Sequence, residues 1–138
     1  MSYLIDTNVV SELYKGNACD RHVAHWYRSI SEDSISLSVL VLGELRKGAN
    51  LARARDAAKA RRLDAWIAAV ENAFRERIFP IDRAIAEEWG RLNAVRPLPV
   101  IDSLLGATAN VHGLTLVTRN VRDLHGTGVK LLNPFDRT

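Results

Sequence analysis

Cysteine is almost missing from this chain, and so is any long apolar run. Cys19 is the single cysteine among 138 residues, so no internal disulfide can form. That suits a reducing compartment and excludes the disulfide-stapled secreted scaffolds. No stretch approaches the ~18 consecutive apolar residues of a membrane helix. The N-terminal segment lacks a basic stretch and meets Asp6 where a signal peptide has its apolar core. A cytoplasmic protein without a membrane partner is therefore expected. No low-complexity tract, repeat or interdomain linker stands out, and one domain spanning 1–138 is expected.

Several catalytic signatures are absent as well. No Gly-x-Ser-x-Gly elbow occurs, which leaves a Ser/His/Asp hydrolase unsupported. His22, His25, His112 and His125 form no metal-ligand spacing with the acids or with Cys19. The stretch His125-Gly126-Thr127-Gly128-Val129-Lys130 has two glycines but not the full phosphate-loop pattern, and reads as a turn before a strand. A receiver-type phosphoacceptor domain presents adjacent acids early in the chain, whereas Asp6 stands alone.

What the chain does have is an ordinary globular balance, 47% apolar and 25% charged residues. Its formal charge of +3 is unevenly spread. Between Arg46 and Arg62 lie seven cations (Arg46, Lys47, Arg53, Arg55, Lys59, Arg61, Arg62) and one acid, Asp56. Such a segment either forms a solvated helix face or attracts a polyanion through counterion release.

Hydrophobic periodicity alternates between strand and helix. Strands are predicted at 3–5, 35–38, 78–81, 114–117 and 129–132, and helices at 8–15, 21–30, 39–51, 57–74, 84–93 and 100–111. Ser38 is placed to cap one helix, Pro99 to occupy the first turn of another, and Gly113 to close it. Pro80 argues that its strand lies at a sheet edge. Trp26, Trp66 and Trp89 lie in helical patterns and are expected in the core or at a subunit interface. Strands separated by helices imply an α/β fold with a mostly parallel sheet covered on both faces.

Against that frame, the carboxylates are unusual. The first strand, Tyr3-Leu4-Ile5, delivers Asp6 at its end, followed by Thr7 and Asn8. Asp6 is a good helix cap, but ligands of open α/β sheets also bind at the carboxyl ends of strands. Glu44 lies in Val41-Leu42-Gly43-Glu44-Leu45-Arg46 and Asp102 in Ile101-Asp102-Ser103-Leu104-Leu105, each among apolar neighbours. Burying isolated carboxylates is costly unless they are paired, hydrogen-bonded or bound to a cation. Three half-buried acids at one sheet edge would repel each other, and a hard divalent ion such as Mg²⁺ removes that conflict.

Four segments in this order carry a specific resemblance: Ile5-Asp6-Thr7-Asn8, Gly43-Glu44-Leu45-Arg46-Lys47-Gly48, Ile101-Asp102-Ser103-Leu104-Leu105-Gly106-Ala107-Thr108-Ala109, and Leu116-Val117-Thr118-Arg119-Asn120-Val121-Arg122-Asp123. Together they resemble the PIN-domain family, and within it the VapC-type toxins of bacterial toxin–antitoxin pairs. The similarity extends to Leu132-Asn133-Pro134-Phe135.

The resemblance implies a three-layer α/β/α sandwich and a Mg²⁺-dependent ribonuclease, with Mn²⁺ as an alternative ion. It places the family's conserved acids on Asp6, Glu44 and Asp102. A fourth acid often follows the Thr-Arg pair, and Asn120 occupies that position here, leaving a weaker anionic site to which Asp123 contributes through water. Thr7, Asn8, Thr118 and Asn120 are expected to position waters or phosphate oxygens. Arg119, with Arg46, Lys47 and Arg53, is expected to hold the RNA backbone. The implied partners are RNA, a cognate antitoxin docking near the helices of 39–74, and operator DNA reached only through that antitoxin. A homodimer is expected, joined by antitoxin into a heterotetramer or hetero-octamer. The rival reading is a non-catalytic PIN-like module within a DNA-binding regulatory complex, which the replacement of an acid by Asn120 favours.

Overall fold

Strand β1 (Tyr3–Ile5) lies at the centre of the molecule, and all other strands are arranged around it. A computed structural model describes residues 1–136. Positions 137 and 138, the end of the expected domain, lie outside the described residues. The remaining strands are β2 (Ile35–Ser38), β3 (Ile78–Phe79), β4 (Thr115–Val117) and β5 (Leu131–Leu132). They form one sheet in the order β3-β2-β1-β4-β5, and every pairing is parallel. The sheet is thus fully parallel rather than mostly so.

The described residues form seven α-helices. These are α1 (Thr7–Tyr14), α2 (Arg21–Arg28), α3 (Val39–Arg53), α4 (Ala57–Ala73), α5 (Arg83–Val95), α6 (Val100–His112) and α7 (Val121–Leu124). Helix α1 packs against α2 and α3, and α3 pairs with α4; separately, α5 pairs with α6, which also touches β1, β4 and α7. These groups flank the sheet as the outer layers of an α/β/α sandwich. The strands are mainly apolar, as two-sided burial favours, with Ser36, Ser38 and Thr115 as their polar members. Leu4, Ile35, Leu37 and Val117 are fully shielded and pack with Val9, Val41, Ile67, Leu105 and Leu116.

Local chemistry sets the boundaries. Side-chain oxygens of Asp6, Ser38, Asp56 and Asp82 each accept a bond from a free N–H at the start of a helix. Gly113 closes α6 at φ 66°, where a side chain would be strained. Pro99 sits one position outside α6, as its cap residue rather than in its first turn. The predicted strand 78–81 stops at Phe79 because Pro80 has no N–H to give, and β3 is indeed an edge. The predicted strand 129–132 shrinks to two residues after Gly128, whose φ is 88°. Helix α7 went unpredicted; one turn leaves no period to read.

The topology positions the site. From β1 the chain runs outward through β2 to β3, then returns to the other side of β1 as β4. The crevice beyond the carboxyl ends of β1 and β4 is therefore the switch point, where open α/β sheets bind ligands.

Candidate active site

Asp6 and Thr118 immediately follow β1 and β4, and they meet across that crevice. The Asp6 N–H donates to the Val117 carbonyl at 2.9 Å, and the Thr118 hydroxyl donates to Asp6 Oδ2 at 2.7 Å. Asp6 Oδ1 accepts from the Thr7 N–H at 2.6 Å, and the Asn8 amide reaches Oδ2 at 3.3 Å. Asp6 is only 4% exposed, and donors surround its carboxyl group. Burial pushes its pKa up, the Thr118 and Thr7 bonds pull it down, and the charge of Glu44 pushes it up again. Asp6 is therefore both the cap of α1 and a member of an acidic group.

Glu44 projects from the second turn of α3. The Thr7 hydroxyl donates to its Oε1 at 2.5 Å, tying α1 to α3. Asp102 stands in the first turn of α6, half-buried. Its carboxyl is pushed up to about 6, first by burial and then by the negative charges of Asp6, Asp123 and Glu44; the Asn120 side chain acts weakly in the opposite direction. Three carboxylates from distant parts of the chain thus act on one another, with Asp123 at the rim.

The neighbouring polar residues also bond to one another and to the backbone. Asn8 bridges the two strand ends: its amide nitrogen lies 3.4 Å from the Thr118 hydroxyl, and its Oδ1 accepts the Arg119 N–H at 3.3 Å. The Thr118 hydroxyl also accepts the Asn120 N–H at 3.0 Å, shaping the turn into α7. Arg119 is exposed and its guanidinium lies 3.7 Å over the Phe135 ring. Of the other cations expected on RNA, Arg46 and Arg53 are both engaged with Asp64, at 2.7 and 2.8 Å. Lys47 is exposed, with no ion pair among the described residues. Sequence reasoning missed the Thr7–Glu44 and Arg119–Phe135 links, because nothing along the chain marks a contact across 37 or 16 positions.

Beside Glu44 lies a groove of ≈ 350 Å³ lined by Thr7, Ser11, Glu44, Lys59 and Trp66 among others, with neither Asp6 nor Asp102 in its walls. A second cavity of the same volume, lined by Leu13, Trp66, Val70 and Phe74, is mainly apolar and has none of the three acids in its walls. Trp26, Trp66 and Trp89 are half-buried against the core, as expected.

A profile of the PIN domain matches residues 3–127. The chain belongs to the PIN-domain family. Among curated PIN relatives, the VapC ribonuclease Y4jK of Sinorhizobium fredii is 29% identical over 140 residues, covering 96% of this chain and 97% of that protein. The toxin FitB of Neisseria gonorrhoeae is 29% identical over 139 residues, again 96% of this chain and 97% of its own length. A solved structure of FitAB bound to an IR36 DNA fragment contains a chain of the same PIN architecture, with a TM-score of 0.88. It is 25% identical and is aligned over 99% of this chain and 97% of that one.

The donor set of this PIN domain suits a hard cation. Asp6, Glu44 and Asp102 offer only oxygen, and burial, followed by the negative charge of its neighbours, raises the Asp102 carboxyl. Among the described residues, no three His, Cys, Asp or Glu side chains stand close enough to cage an ion unaided.

Proposed function

We propose that this protein is a metal-dependent endoribonuclease, one nuclease domain serving as the toxin of a toxin–antitoxin pair. The carrying observation is that Asp102, near the β1–β4 switch point, is half-buried and feels the charges of Asp6 and Glu44, burial first and those charges next raising its carboxyl to about 6. Relatives named as a VapC ribonuclease and a toxin support the reading.

Asp6 and Asp102 would hold Mg²⁺ or Mn²⁺, with Glu44 as a further oxygen donor. The bound ion supplies a water of lowered pKa and neutralises charge growing on the phosphate. The chain's own residues prepare that chemistry. Thr118, Asn8 and the Thr7 N–H fix Asp6 in orientation, and the Thr118 and Thr7 bonds oppose the rise that burial imposes on its carboxyl. Thr7 aims Glu44. Asn120 lends Asp102 a neutral partner where the family often has an acid, and Asp123 adds negative charge at the rim. Lys47 and Arg119 face solvent beside the site and are suited to the RNA backbone. The ion pairs of Arg46 and Arg53 with Asp64 make them lesser contributors.

A nuclease of this kind needs restraint. The groove beside Glu44, with Tyr14, Leu45, Leu63 and Trp66 in its walls, is our candidate seat for a helical antitoxin segment. In this reading the complex is cytoplasmic, is built on a toxin homodimer and reaches operator DNA through the antitoxin; the solved structure of FitAB bound to a DNA fragment supports a DNA-bound assembly.

The test is direct. The purified chain, freed of any antitoxin, should cleave labelled RNA with Mg²⁺ and not with chelator, and Asp6→Asn and Asp102→Asn should each abolish cleavage while remaining folded. Intact RNA under all conditions would instead favour the non-catalytic module, the reading that Asn120 supports.

A further inference from the structure

Arg119 is held in a way that its surroundings alone do not explain. It follows Thr118, whose hydroxyl binds Asp6, and its own N–H is anchored on Asn8. An arginine so close to a group of acids would ordinarily fold back and neutralise them. Among the described residues, however, no carboxylate lies within ion-pair distance of it. Its charge is felt at Asp20, on the rim, and not among the influences on Asp6 or Asp102.

The guanidinium instead rests on Phe135, its central carbon 3.7 Å from the ring centroid. That separation is face contact, well inside the range of a cation–π interaction. Phe135 is itself fixed. Its N–H donates to Asn133 Oδ1 at 2.9 Å, its ring packs against the core, and Pro134 before it is buried. The two partners also hang from neighbouring strand ends, because the Thr118 N–H extends the β4–β5 ladder to the Leu132 carbonyl at 3.0 Å. A ring occupies only the face of a guanidinium. The N–H groups around its edge stay available in the fork geometry that suits two phosphate oxygens.

We propose that Arg119 and Phe135 form a preassembled phosphate clamp at the mouth of the acidic site, with Phe135 as the positioning residue. This rests on the ribonuclease reading for its substrate class. The platform keeps the cation off the carboxylates, so the acids stay open and the arginine's charge stays unspent until an RNA backbone arrives. Holding one rotamer beforehand also lowers the ordering cost of binding.

The experiment uses the full chain and a short fluorescein-labelled single-stranded RNA of mixed sequence, followed by anisotropy in EDTA so that nothing is cleaved. Arg119→Ala should weaken binding about tenfold and reduce the slope of log K against log salt by about 0.7. Phe135→Leu, which keeps the apolar bulk and removes the π face, should weaken binding about fivefold. Phe135→Tyr should restore wild-type affinity. In the Arg119→Ala background, Phe135→Leu should add nothing, since the two residues act as one unit. With Mg²⁺ present, Phe135→Leu should raise KM far more than it lowers kcat. Equal effects of Phe135→Leu in both backgrounds, failure of Phe135→Tyr to rescue, or an unchanged salt slope in Arg119→Ala would each overturn the clamp. If Phe135→Leu does not fold, Phe135→Trp takes its place, and weaker binding by that larger π face would count against the proposal. Coupling without any RNA cleavage would strike the nuclease reading and leave the clamp; cleavage without coupling would do the reverse.

Discussion

Replacing Asp102 by asparagine should stabilise the metal-free protein, the opposite of what removing a half-buried hydrogen-bonding residue normally does. The Asp102 carboxyl is raised from 3.8 to about 6. A native-state value above the unfolded one means that charging this group costs more in the folded protein. Stability is therefore lost as pH rises through the interval between those two values, and the loss is complete above about 6. A difference of about two units corresponds to ~3 kcal/mol at most. Asp102 is partly solvated, so screening reduces this to about 1–2 kcal/mol. For a chain of this size that is about 3–7 °C in Tm. The assay is thermal unfolding of wild type and Asp102→Asn in EDTA, at pH 8 and again near pH 4. The variant should melt higher at pH 8, and most of the difference should vanish at the lower pH, where the wild-type group is protonated. Adding Mg²⁺ at pH 8 should raise the wild type and leave the variant nearly unmoved. A variant that melts at or below the wild type at pH 8, or a gap independent of pH, would refute the reasoning that burial and the neighbouring acids together disfavour a charged Asp102.

Other expectations follow from the same contacts. Thr118→Val keeps the shape of a fully buried side chain but removes the donor to Asp6 Oδ2; chemical denaturation at pH 7 should show a loss of about 1–3 kcal/mol, with RNA cleavage falling alongside. Asn120→Asp puts a carboxylate beside Asp102 and should tighten Mn²⁺ about tenfold by calorimetry while lowering the metal-free Tm; unchanged affinity would remove Asn120 from the site. Glu12 is buried, accepts the Asp20 N–H at 2.8 Å and pairs with Lys15 at 3.0 Å, and these bonds hold its carboxyl below the usual range. Its contribution is fully present above the ordinary glutamate value and is lost as pH falls through the lowered one. Glu12→Gln should therefore cost about 1–2 kcal/mol at pH 7 and almost nothing in strong acid, as read by urea midpoints.

How much of this was legible in the chain depends on the range of the interaction. Capping and periodicity are local, so Ser38, Gly113 and the stripe containing Ile67 and Val70 marked their helices well. Edge status followed from Pro80, which lacks a donor. The short strands blurred because two residues carry no alternation, and β5 is defined by pairing with Leu116 and Val117 rather than by its own sequence. At the site, the acids were visible as carboxylates out of place among apolar neighbours. Their helpers were visible only as residue types. Thr7, Asn8 and Thr118 could be named as polar residues near strand ends, but a hydroxyl aimed at Glu44 rather than at solvent is a property of how α1 meets α3. The basic segment misled in part for the same reason. Asp64 lies outside it in sequence but takes up both Arg46 and Arg53 in space.

The central claim is that Asp6, Glu44 and Asp102 make one divalent-ion site at the carboxyl ends of β1 and β4. Crystals grown with Mn²⁺ and measured at its absorption edge test this most directly. The account requires an anomalous peak within coordination distance of the Asp6 and Asp102 carboxylates, with Glu44 on the ion or on one of its waters. An ion bound elsewhere while these three side chains remain unligated would contradict it.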